Sequence, residues 1–165
     1  MMSEPIETEK AAAIRVTPTS ESEFPWIMVK LREQAIDYMT DGGSSLSLYG
    51  GDEHAESMLR LLRADHILLT AVTETGEAVG FIAGWVSGHP FNPAVRVATH
   101  FWWYVDPVHR HSRAASLLLS DFVVTAEDRG CQRITLCLGP RTMIRDESLE
   151  KIGFKHSDRC YVKEI

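Results

Sequence analysis

The feature that most constrains this chain is a helix-periodic run fed directly by a strand-periodic one. Ala115, Leu118, Leu119, Phe122, Val123 and Ala126 fall at i, i+3, i+4, i+7, i+8 and i+11, which predicts a helix from about Arg113 to Arg129 with one apolar stripe. Gly130 follows as its natural stop. Just upstream, Val95 to Val105 (VRVATHFWWYV) is dense in β-branched and aromatic residues and ends at Asp106-Pro107. A helix stripe of this kind must bury itself against another layer, and the neighbouring strand supplies a sheet. The class is therefore α/β.

The other segments extend that class. Ala13 to Thr17 alternates as a first strand, and Thr19, Ser20 and Ser22 offer caps for a helix from about Glu21 to Met39 that stops at Asp41 to Gly43. A second helix fits Asp52 to Arg63. His66 to Thr73 and Ala78 to Val86, joined by Glu74-Thr75-Gly76-Glu77, have the period and the turn of an antiparallel hairpin. Asn92-Pro93 breaks the pattern before Val95. After Gly130 come a strand over Gln132 to Leu138, a helical stretch near Met143 to Ile152, and a closing strand or hairpin from Phe154 to Lys163. The predicted order is β-α-α-β-β-β-α-β-α-β(-β), in one domain over 13–165 behind a flexible leader, residues 1–12. The Gly- and Ser-rich stretch 40–51 carries Leu46, Leu48 and Tyr49, and reads equally as a substrate lid or an ordinary connection.

Composition removes several functional classes. In 165 residues, 17 Lys plus Arg against 23 Asp plus Glu leave a net charge of −6, which offers no footprint for nucleic acid and no basic face for anionic lipid. Cys131, Cys137 and Cys160 are odd in number and form no Cys-x-x-Cys pair, so neither a disulfide framework nor a zinc knuckle is expected. The histidines are scattered, and His109 with His111 lacks the i, i+4 spacing of a helical metal site. No apolar run is long enough to span a bilayer. The expectation is a cytoplasmic protein without a metal.

The junction Val105 to Ser116 carries the chemistry. A strand that ends into a helix start aims free backbone N–H groups and the positive end of the helix dipole at whatever lies beyond the strand. Arg110 and Arg113 add positive charge there, and the small Ala114, Ala115 and Ser116 let a phosphate approach the backbone.

Arg110-His111-Ser112-Arg113-Ala114-Ala115 resembles motif A of the GNAT family of N-acetyltransferases, Arg/Gln-x-x-Gly-x-Gly/Ala, with Arg113 where the central glycine stands. The lead-in Val105 and Pro107, the leucine-rich helix, and a short helix ending in Lys151-Ile152-Gly153-Phe154 are similar to the family's pattern as well, and the Arg-x-Ser-Arg-Ala-Ala variant looks similar to phage and prophage acetyltransferases. The resemblance implies the acyl-CoA N-acyltransferase fold, a mixed but mostly antiparallel sheet flanked by helices. It also implies that Arg110, His111, Ser112, Arg113, Ala114, Ala115 and Ser116 cradle the pyrophosphate of acetyl-CoA. A bulge near Trp103 to Val105 would open the strand, so that Trp103 and Val105 meet the pantetheine amides. Arg113 either reaches a CoA phosphate or narrows the cradle.

The family's usual acid is a tyrosine, and its position holds Leu149; a common asparagine position holds Thr142. The candidate proton-handling residues are therefore His100 and Tyr104, an even number of residues apart and so expected on one strand face, with Tyr161 a further candidate. His100 reads more readily as a polar residue on a strand face than as the base. Cys137, a lone cysteine in an apolar run, reads as a buried small hydrophobe. Trp85, Trp102, Trp103 and Tyr104 wall an acceptor pocket or simply fill the core. The resemblance implies acetyl transfer to a primary amine, and the acidic balance favours a cationic acceptor such as a polyamine, an aminoglycoside-like amine, a lysine or a protein N-terminus. Homodimers are common in such a family. The rival reading is a non-catalytic protein of the same fold that binds CoA or a protein partner; a nucleotide switch is weaker, since no Gly-x-x-x-x-Gly-Lys-Ser/Thr loop is present.

Overall fold

The computed structural model describes residues 13–41, 47–139, 144–157 and 163–164. Its sheet has five strands in sequential order: β1 (Ile14–Pro18), β2 (Ile67–Thr73), β3 (Ala78–His89), β4 (Asn92–Val105) and β5 (Arg133–Leu136). The first four pair antiparallel and β5 runs parallel to β4. Parallel pairing requires a crossover, and the long helix α3 (Ala114–Asp128) provides it. Helices α1 (Phe24–Thr40) and α2 (Asp52–Asp65) cover the opposite face, and α4 (Asp146–Glu150) is a single short turn after β5.

Burial on both faces explains the composition of the strands. All seven residues of β2 are buried, so the run reads as continuously apolar rather than alternating. One core layer joins Ile67, Leu69, Val79 and Ile82 to Leu118, Phe122 and Ala126 of α3. The other joins Leu68, Phe81 and Ala83 to Phe24, Ile27 and Leu31 of α1 and to Leu59 and Leu62 of α2. The stripe read from the sequence is thus the one α3 buries, with Ala115 and Val123 at its half-buried rim. Gly84 makes this packing possible, because a Cβ there would lie 2.6 Å from the Phe122 ring. Gly130 ends α3 at φ +74, a left-handed conformation that side chains resist.

Helix α1 starts as the sequence dictates. The Ser20 amide donates to the Glu23 carboxylate at 2.6 Å, Pro25 sits in the first turn, and a short 3-10 turn, Glu21–Glu23, precedes Phe24. The buried hydroxyls of Thr19 and Thr70 pair at 2.7 Å and pin this entry to β2.

Two expectations change. Asn92-Pro93 does not interrupt the sheet: β3 continues to His89, β4 begins at Asn92, and Pro90-Phe91 make the turn. Proline is tolerated there because β5 pairs with β4 only from Val97 to His100, so the missing N–H of Pro93 costs no bond on that side. No closing strand forms among the described residues 154–157 and 163–164; residues 158–162 lie outside the described ones, as do the leader 1–12 and residues 42–46 of the Gly/Ser stretch.

Candidate functional site

Strand β4 is longer than its partner, and that mismatch creates the site. Val97 to His100 pair with Arg133 to Leu136 of β5, after which β4 runs on to Val105 held only by β3. The registers Gly84 with His100 and Ala83 with Trp102 leave Phe101 as one extra residue, a bulge that bends β4 where β5 leaves it. The bulge therefore lies at Phe101 and not at Trp103 to Val105 as the family pattern implied. A cleft of about 330 Å³ opens at the fork, lined by His100, Phe101, Trp102 and Trp103 of β4, by Cys137 to Gly139 after β5, and by Gln34 and Tyr38 of α1.

The extra residue also corrects the reading of His100 and Tyr104 as one face. A bulge flips the alternation, so the two project to opposite sides despite their even spacing. His100 meets Phe122 of α3 and the Trp103 ring, with centroids 6.4 and 5.9 Å away. Tyr104 stacks on Phe81 and meets Trp26 of α1. Trp102 and Phe101 share the Tyr104 side. Trp85 does not line the cleft; it stacks on Phe101 at 5.2 Å and backs the wall from within the core.

Backbone direction follows from one bond. The Asp106 amide donates to the Val79 carbonyl at 2.8 Å, and antiparallel alternation then turns the peptide groups of Trp103 and Val105 away from β3, toward the edge that β5 has left. The Val105 carbonyl is taken there by Arg110 Nε at 3.3 Å, which ties the strand end to the following loop. The Trp103 peptide and the Val105 amide face the opening.

The loop itself is tightly wound. His109 donates to the Asp106 carbonyl, Arg110 to Pro107 and Ser112 to His109, while the Ser112 hydroxyl donates to the His109 carbonyl at 2.6 Å and accepts from the Ala114 amide at 3.1 Å. Leu117 closes the first helical bond, onto the Arg113 carbonyl, so the amides of Arg113, Ala115 and Ser116 find no acceptor among the described residues. Arg113 sits at φ −82 and ψ 1, an ordinary conformation for a residue with a side chain, so the arginine in the glycine's place strains nothing. Its side chain and those of Arg110 and His111 are exposed. Ala114 is fully buried, which makes it a core residue whose smallness lets α3 start close to the sheet.

On the α1 side, Lys30 Nζ lies 3.1 Å from Glu33, 3.9 Å from Asp106 and 5.9 Å from the Tyr104 ring centre. Desolvation first, then the nearby Asp106 carboxylate, push the Tyr104 hydroxyl above its usual pKa, against the pull of Lys30. It keeps its proton at neutral pH. Burial pulls His100 down to about 4, so its imidazole is neutral. Both His100 ring nitrogens and Trp103 Nε1 are buried without a hydrogen-bond partner among the described residues. Cys137 is exposed at the cleft, not buried as its apolar setting predicts, because β5 ends at Leu136 and the chain leaves the sheet.

Sequence reasoning missed Lys30, Gln34 and Tyr38. Their signal is a polar line at i, i+4 and i+8 along a helix that is otherwise apolar inward. Leu149 lies half-buried on α4 and offers no proton; Thr142 and Tyr161 fall outside the described residues. Among the described residues, no group of three or more His, Cys, Asp or Glu is placed to hold a metal ion.

A model of the acetyltransferase (GNAT) family matches residues 30–154. Solved structures of similar fold include a ribosomal-protein-alanine N-acetyltransferase from Brucella melitensis biovar Abortus 2308, at 20% identity and TM-score 0.68 over 93% of this chain and 99% of that one. A glucosamine-6-phosphate N-acetyltransferase from Arabidopsis thaliana aligns at 14% identity and TM-score 0.68, over 92% and 98% of the two chains. A predicted acetyltransferase with acetyl-CoA from Clostridium acetobutylicum aligns at 17% identity and TM-score 0.65, over 92% and 95%. No curated protein sequence matches the chain at a significant level.

Proposed function

The chain belongs to the GNAT family of acetyltransferases, and from that premise we propose that it moves an acetyl group from acetyl-CoA to a primary amine by direct transfer. The observation that carries this reading is the one-sided opening of β4 beyond His100, which leads straight to the uncapped start of α3. The parts match the donor in order. Free amides of Arg113, Ala115 and Ser116, with the guanidinium groups of Arg110 and Arg113, meet the diphosphate; His111, Ser112 and Ala114 shape the loop that holds them. The open Trp103 peptide and the Val105 amide meet the amides of the arm, as an added strand would. Acetyl-CoA supplies the activated thioester.

The residues of this chain then do three things. They hold donor and amine in register, which supplies most of the barrier reduction without an acyl-enzyme. They exclude water at the fork with Phe101, Trp102 and Trp103. Tyr104, protonated at neutral pH on the side where α1 lies, gives its proton to the departing thiolate and recovers one from the proton that the attacking amine sheds, so the tyrosine ends the transfer as it began. His100 is a poor base at a pKa of about 4. The acceptor comes in over Gln34, Tyr38 and Tyr104, and the acidic balance of the chain favours a cationic amine such as a polyamine, an aminoglycoside-like amine, a lysine or a protein N-terminus.

Calorimetric titration with acetyl-CoA tests the site. Binding by the wild type that drops at least about 100-fold in Arg110→Ala/Arg113→Ala is expected, since charge-assisted bonds contribute about 1.5–3 kcal/mol each. Absence of binding by the wild type overturns the reading. Leu149 at the family's acid position favours a second reading, a GNAT-fold protein that binds CoA without turnover. Release of CoA thiol in an amine screen separates the two.

A further inference from the structure

The cleft at the fork has two ends of different chemistry. Trp103 turns toward the α3 layer, whereas Phe101 and Trp102 pack on the α1 layer. The donor reading above fills the edge that β5 leaves, so the α1 end, walled by Phe101 and Trp102 of β4 and by Gln34 and Tyr38 of α1, remains for the acceptor. Its β4 wall is a run of aromatic rings. Trp85 stacks on Phe101 at 5.2 Å, and Phe101 meets Trp102 edge-on at 4.8 Å. Phe101 and Trp102 are half-buried, so part of each ring stays accessible.

The lining decides what kind of amine fits. Among the described residues it holds no carboxylate, lysine or arginine, and its polar side chains toward α1 are those of Gln34 and Tyr38. The charges on this side are matched with one another, Lys30 with Glu33 and Asp106, and Arg32 with Asp52. A polyamine or an aminoglycoside brings further ammonium groups, and burying a charge without a partner is costly. At about 330 Å³ the cleft stands at the small end of ligand clefts, so it admits one small body. An aromatic ring extends the β4 wall by the same stacked and edge-on contacts that its rings already make, and a single ammonium beside them is drawn to the ring faces.

We propose that the acceptor is a primary arylalkylamine, one amine on a short alkyl linker from an aromatic ring, and that Phe101 and Trp102 select it. The inference rests on the acetyl-transfer reading above and narrows its acceptor. The ring lies against Phe101 and Trp102, and the linker carries the amine to the thioester at the fork. The net charge of −6 draws the ammonium in, and the neutral lining favours the uncharged amine that must attack. As the C–N bond forms the C–S bond breaks, the amine sheds one proton, and the thiolate takes one from Tyr104. The half-exposed rings thereby gain a partner that water does not offer them.

The test follows CoA thiol release in steady state with phenethylamine and tryptamine, with n-hexylamine as an apolar body lacking a ring, with spermidine, and with a short lysine-containing peptide. The kcat/KM for the two arylalkylamines should exceed that for n-hexylamine about fivefold, the value of one aromatic contact. It should exceed that for spermidine and for the peptide at least about 100-fold, since their extra charges and amides find no partner in the lining. Trp102→Leu and Phe101→Leu keep an apolar wall without the ring. Each should raise KM for phenethylamine about fivefold and leave KM for n-hexylamine and for acetyl-CoA within about twofold, a selectivity that a merely structural role would not give. Should one variant not fold, the other carries the same expectation. Spermidine or the peptide turned over as well as phenethylamine, or variants that treat phenethylamine and n-hexylamine alike, overturns the proposal and leaves acetyl transfer intact. Thiol release with none of the amines, in a wild type that binds acetyl-CoA, overturns the turnover reading and the proposal with it.

Discussion

The two faces of β4 at the fork are built to opposite electrostatic rules. Toward α3 the strand presents His100, Trp103 and Val105 against Phe122, Ala114 and Leu118, a buried wall whose ring nitrogens have no hydrogen-bond partner among the described residues. Toward α1 it presents Phe101, Trp102 and Tyr104, with Lys30, Glu33 and Asp106 gathered into a solvent-touched ion cluster around the tyrosine. One face is closely packed and apolar, and burial holds its imidazole neutral. The other carries an ionic cluster that reaches solvent. A single extra residue at Phe101 separates them, by turning His100 and Tyr104 to different sides.

Removing packing from the buried face should have the largest effect. Phe122→Ala takes away the fully buried ring beneath His100 and is expected to cost about 3–5 kcal/mol in urea unfolding. Phe101→Ala, half-buried on the other face, should cost clearly less. Equal losses would erase the distinction.

Titration sharpens it next. The His100 pKa is depressed from 6.5 to about 4 in the folded protein by burial, so between those values the unfolded chain binds more protons than the native one. Stability therefore falls as pH drops through that window, by roughly 3 kcal/mol in full at about 1.4 kcal/mol per unit. Urea unfolding at pH 7 and pH 5 should show the slope in wild type and a shallower one in His100→Phe. An unchanged slope would mean that His100 is solvated.

The smallest stability effect belongs to the ionic face. Lys30→Met breaks pairs at partly exposed carboxylates, so a change of under about 1 kcal/mol is expected, with acetyl-CoA affinity within about twofold of wild type. Its effect should fall on KM for the amine, read from steady-state kinetics.

Much of the fold was legible because long periodic segments dominate it. The α3 stripe, the β2–β3 hairpin and the capped start of α1 follow from spacing and turn chemistry alone. The parallel pairing of β5 was not read from the segments, which gave a mixed sheet only through the family resemblance; the length of α3 between it and β4 accounts for it. What stayed hidden is set by tertiary register. Nothing in VRVATHFWWYV marks Phe101 as the bulge, and alternation carried past it puts Tyr104 on the wrong face. Pro93 reads as a breaker until the short reach of β5 is known. The junction at Arg110 to Ser116 reads from the sequence as a strand feeding a helix start, but the capture of the Val105 carbonyl by Arg110 and the burial of Ala114 depend on the three-dimensional arrangement. Cys137 looked like core because the end of β5 could not be located from an apolar run.

Amide hydrogen exchange resolved to single residues, with and without acetyl-CoA, tests the open edge of β4 most directly. Trp102 and Tyr104, whose peptides face β3, should be protected in both states, while acetyl-CoA should slow exchange at Trp103, Val105, Ala115 and Ser116. Unaltered exchange at those four amides under saturating acetyl-CoA would contradict the account.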